Sequence, residues 1–238
     1  MSNVNTIFFL NLENHFADFK LFQPLSIYNL ENLSYPIGNF FYEKTTSLLF
    51  LGLINNSVSG KINNYFSKLF SSSSKEENSP GFLLIYNIIK NKSGAHHFEP
   101  LYQKPLQSGV SSINFCYNSN ILILGLNNGS ILLNKLFVNE SSQVTRDLIE
   151  DICLIKAHKK KIIGASINTS LGYVYSFAAD GNIVISEMNY GSIMKTFPVT
   201  KKELTTYFYD DYWGRVICTD ENGSIWIVDI VTNPVLSF

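Results

Sequence analysis

Apolar residues in this chain fall in short alternating runs, each set at a fixed distance from a tight turn. Val110 to Gly129, Ile162 to Gly181 and Leu204 to Gly223 each span 19 positions from an apolar strand start to a turn glycine, and Ile37 to Asn56 repeats the interval. A recurring spacing of this kind marks a repeat array. Past the turn, the second and fourth positions are apolar in every copy: Leu83 and Ile85, Ile131 and Leu133, Ile183 and Ile185, Ile225 and Ile227. That is the period of a strand. Before the turn, Leu48, Phe50 and Gly52 correspond to Ile121, Ile123 and Gly125, and to Tyr173, Tyr175 and Phe177. An earlier strand carries Phe40 and Tyr42, Ile113 and Phe115, Ala165 and Ile167, Tyr207 and Tyr209. Segments such as Ile152 to Lys156 and Ser192 to Phe197 supply a fourth. The turns Asn127-Asn128-Gly129, Ala179-Asp180-Gly181 and Glu221-Asn222-Gly223 place Asn or Asp beside Gly, the residues that tolerate positive φ in hairpin connections. The pattern predicts an all-β chain of four four-stranded antiparallel sheets, the blades of a β-propeller.

Two stretches interrupt the register. Residues 1–35 offer further strands at Thr6 to Leu12 and Phe19 to Leu30 that complete or precede the first blade, while the blades occupy 36–238. Inside the first copy, a polar insertion at 57–80 contains SSSSKEENSP. Its first part places Ile62, Tyr65, Phe66, Leu69 and Phe70 at the spacing of a short amphipathic helix. The insertion reads either as a tolerated hairpin extension or as a segment that docks on a partner or membrane. Propellers span roughly four to eight blades, so four copies predict a partial or incomplete ring that belongs to a longer protein, in preference to one that closes as an unusually small ring or is completed by a partner.

Composition narrows the chemistry. Apolar residues make up 45% of the chain and charged residues 16%, which excludes a disordered chain, and a net charge of −1 leaves no electrostatic footprint for nucleic acid. No apolar run approaches the roughly 20 residues of a membrane span. The start, MSNVNTIFFL, lacks a basic leader. Cys116, Cys153 and Cys218 lack metal-type spacing and read as buried thiols in a reducing compartment, which favours a cytoplasmic location. His96, His97 and Glu99 suggest a metal only weakly, because adjacent strand residues point to opposite faces. No Gly-Lys-Ser/Thr phosphate loop and no Gly-x-Ser-x-Gly elbow occurs, so neither a cofactor nor a nucleophile is expected. Lys159, Lys160 and Lys161 sit in the connection before the third blade. They read either as a solvated loop or as a rim that contacts an acidic peptide or anionic membrane.

AHKKKIIGASINTS followed by YVYSFAADGNIVISEM resembles a divergent WD repeat. The resemblance implies that His158, of the Ala157-His158 pair, and the turn residue Asp180 form a structural hydrogen-bond pair. In such repeats a strand hydroxyl and an indole complete the network. Five residues past the turn glycine, where a WD repeat usually has Trp, this chain has Tyr86, Asn134, Ser186 and Val228, so no blade holds the complete set. Trp226 lies elsewhere and reads as a packing residue between blades. The stretches SGAHHFEPLYQK, Ala157-His158 and TTYFYDD are similar to the propeller half of the WD-repeat and FYVE-domain-containing proteins. That resemblance implies a non-catalytic scaffold for protein partners, cytoplasmic and associated with endosomal or vesicular traffic. A phosphoinositide-linked membrane adaptor is the alternative, and a propeller enzyme is a third, weaker one. Direct lipid recognition does not carry over. Three scattered cysteines cannot build a FYVE zinc module, and the Phe-Arg-Arg-Gly signature of phosphoinositide-binding propellers does not occur.

Overall fold

Alternation every second residue, with Gly and Asn at the turns, leaves each repeat one way to bury its side chains: as a twisted antiparallel sheet stacked between its neighbours. The computed structural model describes residues 6–9, 26–29, 37–43, 47–54, 81–90, 96–137, 149–210, 212–230 and 235–237. Strands β1 (Thr6–Phe9) and β2 (Ser26–Asn29) pair with each other. The first blade is β3 (Ile37–Glu43), β4 (Leu48–Ile54), β5 (Gly81–Lys90) and β6 (His96–Leu106). The second is β7 (Val110–Cys116), β8 (Ile121–Leu126), β9 (Ser130–Leu136) and β10 (Ile149–Lys156). The third is β11 (Ile162–Asn168), β12 (Tyr173–Ala178), β13 (Asn182–Glu187) and β14 (Ile193–Pro198). The fourth is β15 (Leu204–Asp210), β16 (Arg215–Asp220), β17 (Ile225–Asp229) and β18 (Val235–Ser237). The insertion at 57–80, with its expected helix, lies outside the described residues.

Each blade meanders in sequence order, and blades meet through their first strands: β3 lies against β7, β7 against β11, and β11 against β15. Among the described residues the array is open between the fourth blade and the first. One irregularity repeats at the start of every first strand. The register shifts between Ile37 and Asn39, Val110 and Ser112, Ile162 and Gly164, and Leu204 and Thr206. A bulge at this position twists the inner strand, turning one backbone group and one side chain toward the adjacent blade. Ser111 accordingly donates its hydroxyl to the Ile162 carbonyl at 2.7 Å. Asn114 donates to the Ala165 carbonyl at 3.0 Å, and Asn39 to the Ser111 carbonyl at 3.3 Å.

Apolar contact closes the same seams. Phe50 stacks on Phe115 between the first and second blades, with centroids 5.7 Å apart. Ile121, Ile123, Ile131 and Leu133 of the second blade pack with Ile162, Ala165 and Val174 of the third. Between the third and fourth, Phe177 stacks on Tyr207 at 4.3 Å and Tyr175 meets Tyr209 at 4.9 Å. Each such aromatic pair contributes about 0.5–1.5 kcal/mol beyond the area it buries. Tyr207 can lie flat on Phe177 only because residue 164 has no side chain. A Cβ there would fall 1.8 Å from Tyr207 Cε1. The far face of the fourth blade has no such cover: Phe208, Ile217 and Ile225 are exposed on it.

Gly164→Ala is therefore expected to destabilise the chain by about 1–3 kcal/mol, because the ring must leave its stack. The urea midpoint measures the loss. Combining it with Tyr207→Ser should cost less than the sum of the two single changes, since both act on one contact. Additive costs would show that residue 164 and the Tyr207 ring do not compete for one space.

Candidate functional site

The turn chemistry that closes each hairpin also gathers polar side chains at one end of the blades, where β8–β9, β12–β13 and β16–β17 connect and where each blade passes to the next. In the third blade this end holds a buried chain of hydrogen bonds. His158 Nδ1 lies 3.1 and 3.2 Å from the two Asp180 carboxylate oxygens, and Nε2 lies 2.9 Å from Ser176 Oγ. Asp180 also accepts from the amides of Lys159 at 3.0 Å and Asn182 at 3.1 Å, which ties the incoming loop to the β12–β13 turn. Burial holds His158 below the ordinary imidazole value of 6.5, although Asp180 pulls the other way. The ring is therefore neutral at pH 7, with Nδ1–H donating to Asp180 and Nε2 accepting from the Ser176 hydroxyl. For Asp180, burial works to raise the carboxyl, but the Lys159 amide and the imidazole outweigh it, and it titrates below its ordinary 3.8.

Ser176, His158 and Asp180 have the connectivity of a hydrolytic triad. Their placement does not allow that use: Ser176 is wholly buried, as is the His158 side chain, and a nucleophile must present its oxygen to a substrate. The arrangement can instead clamp a loop, a strand and a turn together.

The fourth blade solves the same problem with other residues. Asp220, only 4% exposed, stands two positions before the residue that matches Asp180. Its Oδ1 accepts from the amides of Asn222 and Ser224, and its Oδ2 from the Trp226 indole at 3.1 Å and the Thr200 hydroxyl at 3.4 Å. Burial opposes the charge, but the Trp226 indole and the Ser224 and Asn222 amides hold the carboxyl below its ordinary value. Trp226 packs against the core shared by the third and fourth blades and is also a donor in this cluster. Neighbouring Cys218 is pushed up to about 11 by burial and by Asp220, so it is an unreactive thiol. In the second blade the positions matching His158 and Ser176 are Leu106 and Leu124, and both are buried.

The positions where a WD repeat has Trp are core positions in all four blades: Tyr86, Asn134, Ser186 and Val228 are buried. Asn134 donates to Asp151, which also pairs with Lys104 of the first blade. Asn134 Oδ1 and Ser186 Oγ have no hydrogen-bond partner among the described residues.

Lys159, Lys160 and Lys161 are all exposed at this same end. Lys160 Nζ pairs with Glu203 Oε1 at 2.7 Å, which raises the lysine and lowers the glutamate through that hydrogen bond. The ammonium groups of Lys159 and Lys161 form no ion pair among the described residues. No group of three or more His, Cys, Asp or Glu side chains able to hold a metal occurs among the described residues, and the side chains of His96 and His97 lie outside them. No described helix is long and apolar enough to cross a membrane.

Several solved structures share this geometry. The WD40 β-propeller domain of Doa1 superposes with a TM-score of 0.54 at 17% identity, over 84% of this chain and 53% of that one. A chain of the mitotic checkpoint complex gives 0.59 at 14% identity, over 90% and 56%. The computationally designed Ika4 protein gives 0.55 at 15%, over 84% and 95%. The fold is thus of the WD40 propeller kind, and this chain spans about half the length of the first two structures. No protein-family model matches the sequence. No curated protein matches it.

The lowered His158 value makes stability pH-dependent. The unfolded imidazole takes up a proton near 6.5, whereas the folded one does so only at lower pH, so stability falls as pH drops below about 6.5. Asp180 adds a second loss below its ordinary 3.8, since its folded value is lower still. His158→Gln should cost about 1–3 kcal/mol at pH 7 and should remove the first of these losses. Urea midpoints of the two proteins between about pH 7.5 and 5 should converge on acidification. Parallel midpoints would place the pH dependence on another group. Ser186→Ala removes an unpartnered buried hydroxyl, so its midpoint should equal or exceed that of the parent.

Proposed function

We propose that this chain is a non-catalytic scaffold that binds other proteins through the rims of its propeller. The observation that carries the reading is the division of labour within the third blade. His158, Asp180 and Ser176 are buried and spent on holding a loop in place, while the loop they hold presents Lys159 and Lys161 to solvent without ion-pair partners among the described residues. A rim fixed from below needs little ordering on binding, which leaves more of the contact energy as affinity. The chemistry that fits it is an acidic protein segment. His158 and Asp180 act structurally in this reading, and Lys159, Lys160 and Lys161 form the contact rim.

The local likeness to WD-repeat and FYVE-domain-containing proteins supports a cytoplasmic role around endosomal or vesicular traffic. The fold neighbours are consistent with protein partners, one of them being part of a protein complex. A phosphoinositide would meet the same three lysines, so lipid binding is the arm of the test that separates the adaptor reading from the scaffold.

The test compares the parent chain with Lys159→Glu/Lys161→Glu. Binding to a fluorescein-labelled Glu-rich peptide should weaken at least about tenfold in the variant, or about 1.4 kcal/mol, and should weaken in the parent as salt rises. Capture from native lysate should lose the same set of proteins. Flotation with phosphatidylinositol 3-phosphate vesicles should show no lysine-dependent binding. Equal peptide binding by both proteins would refute the rim, and lysine-dependent flotation would favour the membrane adaptor.

A further inference from the structure

We propose that the end of the propeller opposite Lys159–Lys161 is a second docking surface, for a protein segment anchored by apolar side chains and carrying basic ones. The topology sorts the loops into two sets. Within each blade, the connections from first to second strand and from third to fourth strand all emerge at the end away from the lysines. Exposed large apolar residues follow that division. Tyr117, Phe137, Leu171, Tyr190, Tyr212 and Trp213 all lie in those connections, spread over the second, third and fourth blades. None of the exposed large apolar residues lies in the described loops at the lysine end. Scattered single exposures need no explanation, but segregation to one end of an array does.

The fourth blade shows that this end is built rather than merely tolerated. Tyr212 and Trp213 are 85% and 61% exposed, yet they are held: both backbone amides donate to Asp210 Oδ1, at 3.1 and 3.3 Å. Gly214 then turns the chain with a φ of 61°, a conformation that other residues rarely adopt. The two rings meet edge to face with centroids 5.0 Å apart, and the Arg215 guanidinium lies over Trp213 at 5.7 Å. Tyr, Trp and Arg, fixed in position before any partner arrives, are the side chains that dominate protein-binding energy.

Charge selects the occupant. Glu150, Glu187, Asp210 and Asp229 stand at this end. Among the described residues the cations beside them are engaged: Arg215 is shared between Asp229, at 3.9 Å, and the Trp213 ring, Lys135 donates to the Ser119 carbonyl, and Lys195 lies over the Phe197 ring at 4.7 Å. An anionic bilayer would be repelled by such a fringe, whereas lysine or arginine flanking an apolar anchor would be attracted. The surface deepens the scaffold reading by giving the molecule two chemically opposite faces, but it does not depend on the lysine rim.

The test uses the whole chain and three displayed libraries of short peptides: apolar residues with Lys and Arg, apolar residues with Asp and Glu, and Gly with Ser. The apolar–basic library should be enriched over the other two. A selected peptide should bind Tyr212→Ala/Trp213→Ala at least about tenfold more weakly than the parent and Lys159→Glu/Lys161→Glu equally well. The thermal midpoint of the aromatic variant should match the parent, since both rings are exposed. In the otherwise unaltered chain, peptide should shift Trp213 emission to shorter wavelength and protect it from acrylamide, and Trp213→Phe should abolish the shift. Enrichment of the acidic library, no enrichment over Gly–Ser, unchanged affinity in the double variant, or Tyr212/Trp213-dependent binding to phosphatidylserine vesicles would each overturn the proposal. Loss of peptide binding in the lysine variant alone would assign the contact to the other rim and equally overturn it.

Discussion

The seam between consecutive first strands is the constraint on which the rest of this molecule depends. A single four-stranded sheet has two faces and too little mass to bury both, so each blade is stable only against its neighbour. The repeated bulge sets the twist of the inner strand, and the seam is then filled differently at each junction: Phe50 on Phe115, an aliphatic layer around Ile123 and Ile162, and Phe177 on Tyr207. Glycines let neighbouring blades approach at these seams: Gly52 faces Val110, Gly125 faces Ile162 and Gly164 faces the Tyr207 ring, because close-packed interiors have no room for a side chain on both sides.

Once the seams fix the blades, the hairpin ends are free to vary, and they do. The third blade uses a neutral histidine between a carboxylate and a hydroxyl, the fourth uses Asp220 with an indole, and the second uses leucines. Each is a way to satisfy or avoid buried polar groups at the same place in the sheet. The position given to Trp in WD repeats remains a core position here even where it holds Asn134 or Ser186, whose side-chain oxygens find no partner among the described residues.

Much of the fold was legible in the sequence because hairpin turns and strand alternation are local signals. The 19-residue interval located four blades, and strands near Ser192 to Phe197 and Ile152 to Lys156 occur as β14 and β10. What escaped was non-local or out of register. Asp220 stands two positions before the template aspartate, so alignment on the turn glycine passes over it, although its nearness to Asn222 and Ser224 is the signal that marks a turn-capping carboxylate. Ser176 reads as an ordinary polar residue in a strand until His158 is folded against it. The aromatic end could not be read at all, since Tyr117, Leu171 and Tyr212 are far apart in sequence and only strand direction brings them to one end.

The resulting picture is a framework of coupled blades with a polar end clamped by buried hydrogen bonds and an aromatic end held by turn geometry. Native-state hydrogen exchange of the whole chain shows whether the seams make the blades one cooperative unit on which loops are displayed. The amides of β7, β8, β11 and β12 should exchange slowest and share one opening free energy and one denaturant dependence, while the hairpin loops exchange quickly. Distinct opening energies for the second and third blades, each with its own denaturant slope, would show instead that the blades unfold independently.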